Sequence, residues 1–149
     1  MIEIHHVDTE ENLRQAYEEI YGTSGIRHSD SFYQWILGLI APKPGRQFLD
    51  IACGQGRLPA MAASQGLEAH GLDLSAEAVK RGLGEATHLL VANGEHLPYP
   101  QESFHYITNI GSLEHYVDPT KGAQEMSRIL TKDGLACILL PNTFSLLGN

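Results

Sequence analysis

The spacing of apolar residues along the chain changes near residue 46, from a helical period to short apolar runs. Before that point, residues 10–21 and the stretch after Ser29 each carry apolar side chains three or four positions apart, which predicts two amphipathic helices. Pro42, Pro44 and Gly45 end the second helix, because proline cannot continue one. We therefore expect an N-terminal helical cap region over 1–45 and a separate core over 46–149.

Within the core, apolar strands alternate with helices. The predicted strands are 47–52, 68–72, 88–92, 104–110 and 135–140. Predicted helices cover 58–65, a stretch from the N-cap Ser75 to about 83, and a stretch that begins after the N-cap Asp118. Residues 132–134 are predicted to form a turn before the last strand. This alternation favours a doubly wound α/β fold with a mostly parallel sheet of about five strands.

Charge and composition narrow the possible partners. The 149 residues include 10 basic and 18 acidic side chains, for a formal charge of −8, so a phosphate-binding basic face is not expected. We find neither an apolar run of about 20 residues nor a secretory signal, and Cys53 and Cys137 suggest reduced thiols. His5 and His6 are too isolated to predict a metal site. We expect a cytoplasmic protein that acts on a small or uncharged molecule, without nucleic-acid or membrane partners.

The most informative segment is the turn after the first predicted strand. Gly54 and Gly56 allow unusual backbone angles and a close approach by a ligand, which would meet backbone N–H groups at the start of a helix. Asp73 ends the second predicted strand, so its carboxylate is expected beside this turn, where it can accept both hydroxyls of a ribose. The alternative is an ordinary tight turn and a solvent-facing acid.

Two cofactor classes use this arrangement. A dinucleotide motif requires a third glycine, but Pro59 occupies that position, and Asp50 would repel a pyrophosphate. Asp50 suits a ligand with an ammonium group, such as the methionine end of S-adenosylmethionine. NAD remains the less favoured alternative.

Five segments extend this interpretation. In chain order they are 50–56, 71–75, 93–104, 112–119 and 128–135. Together they resemble the Rossmann-like (class I) S-adenosylmethionine-dependent methyltransferase family, particularly its small-molecule branch. The resemblance implies S-adenosylmethionine as the cofactor and an enzyme that transfers methyl groups to a small-molecule acceptor. A non-enzymatic or degenerate S-adenosylmethionine-binding module is the alternative.

The resemblance also assigns roles to individual residues. The positions expected around the methionine end are Asp50, Ala52, Gly54, Gly56, Asn109 and Ile110, with Ala52 in place of the family's first glycine. The positions expected around the nucleoside are Asp73 for the ribose, Leu74 and Asn93 for the adenine, and Gly94 and Glu95 beside that ring.

Some positions remain open between function and packing. His115 is the candidate catalytic base, because an imidazole can accept a proton near neutral pH, but it could equally well pack in its loop. Four aromatic residues could form a lid over the cofactor or, alternatively, the core face of an amphipathic helix: Tyr17, Tyr21, Tyr33 and Trp35. We favour the core position for Trp35 and leave Tyr21 open.

The last predicted strand, 135–140, would be an apolar edge strand, which proteins normally cover. Members of the resembled family usually continue with two further strands, which are missing here. We therefore expect a longer chain whose C-terminal segment covers this edge, or a second copy in a homodimer.

Overall fold

The computed structural model describes residues 9–23, 25–82 and 88–141, which form one parallel sheet flanked by helices. The elements are α1 (Glu10–Thr23), α2 (Asp30–Ile40), β1 (Gln47–Ile51), α3 (Arg57–Ser64), β2 (Glu68–Asp73), α4 (Ala76–Gly82), β3 (Leu89–Val91), β4 (Phe104–Ile110), a 3₁₀ turn (Leu113–His115), α5 (Pro119–Ile129) and β5 (Leu130–Leu139). The predicted α/β fold is therefore confirmed. His5 and His6 lie outside the described residues.

The sheet has the order β3-β2-β1-β4-β5, and all neighbouring strands are parallel. The chain builds outward from β1 to β2 and β3, and then crosses to the other side of β1 for β4 and β5. The strand order thus reverses between β1 and β4. Open α/β sheets bind ligands outside the carboxyl ends of the strands at such a reversal, so this edge is where a site is expected.

Both faces of the sheet are covered, which explains why β1 carries apolar residues on both of its faces. Leu49 and Ile51 point into a core shared with α5, while Phe48 points into a second core shared with α2 and α3. Because successive residues of a strand point to opposite faces, a central strand between two helical layers has to be apolar at every position that packs.

Helices α2, α4 and α5 each begin at a side-chain cap, and two of these caps, Ser75 and Asp118, were predicted from the sequence. The Ser29 hydroxyl accepts a hydrogen bond from the Phe32 N–H, and the Asp118 carboxylate accepts one from the Lys121 N–H. The Ser75 hydroxyl likewise accepts one from the Ala78 N–H. The predicted end of α4 near residue 83 lies outside the described residues.

The predicted turn at 132–134 is wrong, because β5 begins at Leu130, directly after α5. The register explains the error: Phe104 pairs with Leu130, but Tyr106 pairs with Leu135, so the intervening residues form a bulge within the strand. A Cβ on Gly134 would lie 2.7 Å from the Leu130 side chain. Any larger residue here would therefore require the Leu130 side chain to move.

The predicted core position of Trp35 is also wrong, since 52% of this residue is exposed. Helix α2 buries Ile36, Leu37 and Ile40 instead, and Trp35 lies to one side of that stripe. Its indole packs only against the Phe32 ring among the described aromatic rings, at a centroid distance of 5.8 Å.

Strand β5 is an edge strand within the described part of the chain, as predicted from the sequence. Its single strand neighbour there is β4. Leu135 and Ile138 are exposed along the strand, and so is Leu140 directly after it. That a further C-terminal segment or a second copy of the chain covers this edge remains a prediction. Among the described helices, none combines the length and apolar character needed to cross a membrane.

Candidate cofactor site

A cavity opens at the carboxyl ends of β1, β2 and β4, at the point where the strand order reverses. Its empty volume is about 850 Å³, including the part that opens to solvent. The residues predicted for cofactor binding that line it are Asp50, Ala52, Gly54, Asp73, Leu74, Asn93, Gly94 and Ile110. The fold thus brings into one cavity residues that lie up to 60 positions apart in the sequence.

The turn after β1 is built from left-handed backbone conformations. Ala52, Gly54 and Gly56 have φ angles of 61°, 55° and 76°. Ala52 therefore adopts a left-handed conformation that favours glycine, at a strain cost of about 1 kcal/mol or more. The Cys53 N–H donates to the Leu72 carbonyl over 2.9 Å, which fixes this turn beside the end of β2.

Asp73 connects the ends of β1 and β2 directly. Its Oδ2 accepts a hydrogen bond from the Gly54 N–H at 2.8 Å, and its Oδ1 accepts one from the Ser75 N–H at 2.9 Å. Burial raises the pKa of this carboxyl above its usual range, although these hydrogen bonds oppose the shift. Each carboxylate oxygen can accept more than one hydrogen bond, so acceptor capacity remains on the cavity side.

Asp50 is a buried acid at the inner wall of the cavity, only 5% exposed. Its Oδ1 accepts a 2.6 Å hydrogen bond from the Thr108 hydroxyl. Burial raises the pKa of Asp50 to about 7; the Thr108 hydrogen bond opposes this shift and the nearby Asp73 adds to it. The described residues that line the cavity include neither lysine nor arginine. A buried carboxylate without a cation is costly, and a cationic ligand would compensate it.

The outer wall comes from the N-terminal region. Leu13, Tyr17 and Tyr21 of α1 face the cavity, together with Tyr33 and the His28 imidazole. A Cβ on Gly54 would lie 2.6 Å from the Tyr21 hydroxyl, so this tyrosine reaches the turn after β1. Burial raises the pKa of Tyr17 and of Tyr21, and both phenols stay protonated.

The sequence left open whether the N-terminal tyrosines face a cofactor or only pack in the core. Tyr17, Tyr21 and Tyr33 all line the cavity. His28 was not identified from the sequence, because it lies in the connection between α1 and α2, where no periodic pattern singles it out.

Tyr116 is a second lining residue that the sequence analysis missed. A Cβ on Gly94 would lie 2.1 Å from its hydroxyl oxygen, so the tyrosine packs directly on the Gly94 backbone. The Asn109 amide donates to this hydroxyl over 3.2 Å, and burial raises the pKa of Tyr116 to about 12. The only sequence signal was its position in the segment 112–119.

Four predicted site residues do not line the cavity: Gly56, Glu95, Asn109 and His115. Gly56 is the N-cap of α3, and Glu95 Oε1 accepts a hydrogen bond from the Val117 N–H at 2.8 Å. Gly56 and Glu95 thus support the cavity wall. For all four residues, a direct contact with a ligand remains a prediction.

Asn109 is fully buried, and its Oδ1 accepts hydrogen bonds from the Ser112 hydroxyl and the Leu113 N–H, so it organises the loop after β4. The His115 Nε2 lies 3.7 Å from Glu114 Oε1 and is about one-third exposed. No cluster of three or more metal-ligand side chains occurs in the described part of the chain.

The fold and this cavity define an α/β protein with a cofactor-type site at the carboxyl edge of its sheet. Residues 49–138 match the family described as a methyltransferase domain, which covers more than half of the chain. The chain therefore belongs to this family, the class I methyltransferases.

Known relatives are consistent with this assignment. A nocamycin O-methyltransferase of Saccharothrix syringae is 29% identical over 126 residues, which cover 77% of this chain and 45% of the relative. A demethylmenaquinone methyltransferase of Listeria monocytogenes is 29% identical over 139 residues, which cover 86% and 59% respectively. The chain thus spans about half the length of the curated relatives it matches.

Solved structures show the same fold. The YcgJ protein of Bacillus subtilis superimposes with a TM-score of 0.67 at 25% identity, covering 74% of this chain and 50% of YcgJ. The [4+2]-cyclase SpnF superimposes with a TM-score of 0.76 at 18% identity, covering 89% and 60%. At that identity, the likeness to SpnF concerns the fold alone.

Proposed function

We propose that this chain is the cofactor-binding part of an enzyme that transfers a methyl group from S-adenosylmethionine to an uncharged small molecule. The observation that carries the proposal is the pair of buried acids in one cavity whose described lining residues include neither lysine nor arginine: Asp73, which accepts a hydrogen bond from the Gly54 N–H, and Asp50, which accepts one from the Thr108 hydroxyl. These residues fit a ligand that carries ribose hydroxyls at one end and an ammonium group at the other.

Each half of the cofactor has candidate partners in the chain. Asp73 would accept hydrogen bonds from the ribose hydroxyls with its remaining lone pairs, and Asp50 would balance the charge of the methionine ammonium. Leu74, Asn93 and Gly94 line the part of the cavity assigned to the adenine. When bound, S-adenosylmethionine supplies a methyl group made electrophilic by a positively charged sulfur.

The remaining task of the protein is to position the acceptor and exclude water. Alignment of two reactants can supply about 7–11 kcal/mol of a reaction barrier, so no reactive side chain is strictly required. The tyrosines of the outer wall stay protonated and serve as wall and hydrogen-bond donors rather than as bases. If the acceptor has to lose a proton, His28 lies on the cavity wall, whereas His115 does not.

The charge of the cavity limits the acceptor. With Asp50 and Asp73 on the inner wall and without lysine or arginine among the described lining residues, a carboxylate or phosphate on the acceptor would be repelled. Aromatic side chains dominate the outer wall, which favours a flat or apolar molecule. Two relatives are named as nocamycin and demethylmenaquinone methyltransferases, so compounds of these two kinds belong in the first acceptor panel.

Calorimetric titration of the chain with S-adenosylhomocysteine and with NAD tests the cofactor assignment. We expect S-adenosylhomocysteine to bind and NAD to produce no heat of binding. Binding of NAD alone would overturn the proposal. Single-turnover transfer of a labelled methyl group to the acceptor panel then tests the reaction, with anionic analogues of each acceptor as the matched control.

A second candidate is a module that binds S-adenosylmethionine without transferring its methyl group. It is favoured by one observation: His115, the catalytic base expected from the sequence, does not line the cavity. Tight S-adenosylhomocysteine binding without labelled product from any neutral acceptor in the panel would favour this candidate.

A further inference from the structure

The outer wall of the cavity depends on how α1 is held. Leu13, Tyr17 and Tyr21 follow one another at intervals of four residues, so they lie on one side of the helix and all line the cavity. The position of α1 therefore decides whether this side of the cavity is closed. Helix α1 packs against α4, the short helix that follows β2.

The Glu18 carboxylate of α1 accepts three hydrogen bonds at the start of α4. Its Oε1 accepts a hydrogen bond from the Ala76 N–H at 2.7 Å, and its Oε2 accepts one from the Glu77 N–H at 3.1 Å. The Ser75 hydroxyl donates to Oε2 at 3.0 Å. The first N–H groups of a helix have no partner within the helix, so a carboxylate from another helix satisfies them and interacts favourably with the helix dipole.

The ionisation of Glu18 agrees with this role. Burial tends to raise its pKa, but the hydrogen bonds from Glu77, Ala76 and Ser75 outweigh that effect and place the pKa below the usual range. The side chain is therefore a charged acceptor at neutral pH.

Ser75 connects this contact to the cofactor site. Its N–H donates to Asp73 Oδ1, while its hydroxyl donates to Glu18. Asp73, the acid assigned to the ribose, and Glu18, the acid that holds α1, thus both accept a hydrogen bond from Ser75 at the corner between β2 and α4.

We propose that Glu18 is a positioning residue: its carboxylate fastens α1 to the corner between β2 and α4 and thereby keeps Tyr17 and Tyr21 closed over the cavity. Its effect on ligand binding rests on the proposed function, whereas its effect on α1 does not. Without this contact, α1 retains its apolar packing and the hydrogen bond from Arg81 to the Gly22 carbonyl, so the helix opens more often instead of being lost.

Backbone hydrogen exchange of the ligand-free protein tests the first half of the proposal. Glu18→Ala should speed exchange in α1 while leaving β1 and β4 unchanged. Glu19→Ala is the matched control, because Glu19 is the next residue of the same helix, carries the same charge and is exposed. Glu18→Gln keeps one acceptor oxygen and should give an intermediate rate. Equal α1 exchange in the Glu18→Ala and Glu19→Ala proteins would overturn the proposal.

Affinity for S-adenosylhomocysteine tests the second half. We expect Glu18→Ala to bind about tenfold more weakly, mainly through faster release, and Glu19→Ala to stay within about twofold of the wild type. In a background of Tyr17→Ala and Tyr21→Ala, the Glu18→Ala change should have little further effect, because residues that act through one another are not additive.

The outcomes separate this proposal from the proposed function. Faster exchange in α1 with unchanged affinity, or full additivity with the tyrosine changes, would overturn the role of Glu18 at the cavity. If the wild-type protein fails to bind S-adenosylhomocysteine, the cofactor assignment fails, and the exchange comparison still decides whether Glu18 holds α1.

Discussion

The two walls of the cavity rest on different kinds of support. The inner wall consists of the ends of β1 and β2, whose backbones are fixed by the sheet and by the hydrogen bonds that the Gly54 and Ser75 N–H groups donate to Asp73. The outer wall consists of side chains from α1 and the segment that follows it, outside the sheet. Its polar attachment to the β2–α4 corner is the Glu18 carboxylate.

This difference assigns different tasks to the two walls. The inner wall presents backbone N–H groups and buried acids in fixed positions, which suits recognition of a constant cofactor. The outer wall presents aromatic surface on a helix outside the sheet, which suits ligand entry, closure and contact with an acceptor. Changes in the inner wall should therefore affect cofactor binding most, and changes in the outer wall should act more weakly.

The largest effect on cofactor affinity is expected at Asp73, because this residue both fixes the backbone of the inner wall and is assigned to the ribose. Asp73→Ala removes the acceptor for Gly54 and Ser75 as well as the ribose contacts, so S-adenosylhomocysteine affinity should fall by about 100-fold or more. Asp73→Asn keeps one acceptor oxygen and should lose less. Calorimetric titration measures both. An affinity within twofold of the wild type in Asp73→Ala would refute the ribose assignment.

The next effect is a loss of stability, expected where Gly54 of the inner wall contacts Tyr21 of the outer wall. Gly54→Ala places a Cβ at φ +55° and 2.6 Å from the Tyr21 hydroxyl, so the free energy of unfolding should fall by about 2–3 kcal/mol. In a Tyr21→Phe background the hydroxyl is absent, and the loss should shrink to the backbone strain of about 1–2 kcal/mol. Urea denaturation of the four proteins measures this difference. Equal losses in both backgrounds would show that Tyr21 does not press on the turn.

The pH dependence of binding tests the inner wall alone. Burial raises the pKa of Asp50 to about 7, and a cationic ligand binds its charged form, so S-adenosylmethionine affinity should rise about tenfold between about pH 6 and pH 8. Asp50→Asn should flatten this profile, because the amide does not titrate. A profile with the same slope in both proteins would exclude Asp50 as the titrating group.

The raised pKa of Asp50 also affects the stability of the ligand-free protein, which should fall with rising pH while the ligand affinity rises. Its folded-state pKa of about 7 lies above the usual value of about 4, so its stabilising contribution is complete below about pH 4 and is lost as the pH rises through 7. Asp50→Asn should therefore gain melting temperature relative to the wild type by several degrees at about pH 8 and little at about pH 4.

The smallest effect is expected at the two histidines. His28 lines the cavity and His115 does not, so His28→Ala should weaken S-adenosylhomocysteine binding by about threefold, while His115→Ala should leave it unchanged. Both affinities come from the same titration as above. A larger loss in His115→Ala would mean that the loop after β4 closes onto the ligand.

Much of the inner wall could be predicted because its chemistry is local in sequence. The glycines, Asp50 and Asp73 lie at strand ends that the apolar pattern marks, and parallel strands bring those ends to one edge. The bulge in β5 could not be predicted, because a Lys-Asp-Gly segment has the composition of a turn, and only the register with β4 shows otherwise. Trp35 was misplaced because both sides of α2 are apolar, and contacts with the sheet select which side is buried.

The sequence by itself determined the class of fold, the position of the glycine turn and the acids that face it, since each follows from local periodicity and strand ends. Only the tertiary structure decided which tyrosines close the cavity, which histidine reaches it, and that Glu18 joins α1 to the β2–α4 corner. These last features depend on where a helix outside the sheet comes to rest. That position is set by contacts between residues more than fifty positions apart, which no local pattern records.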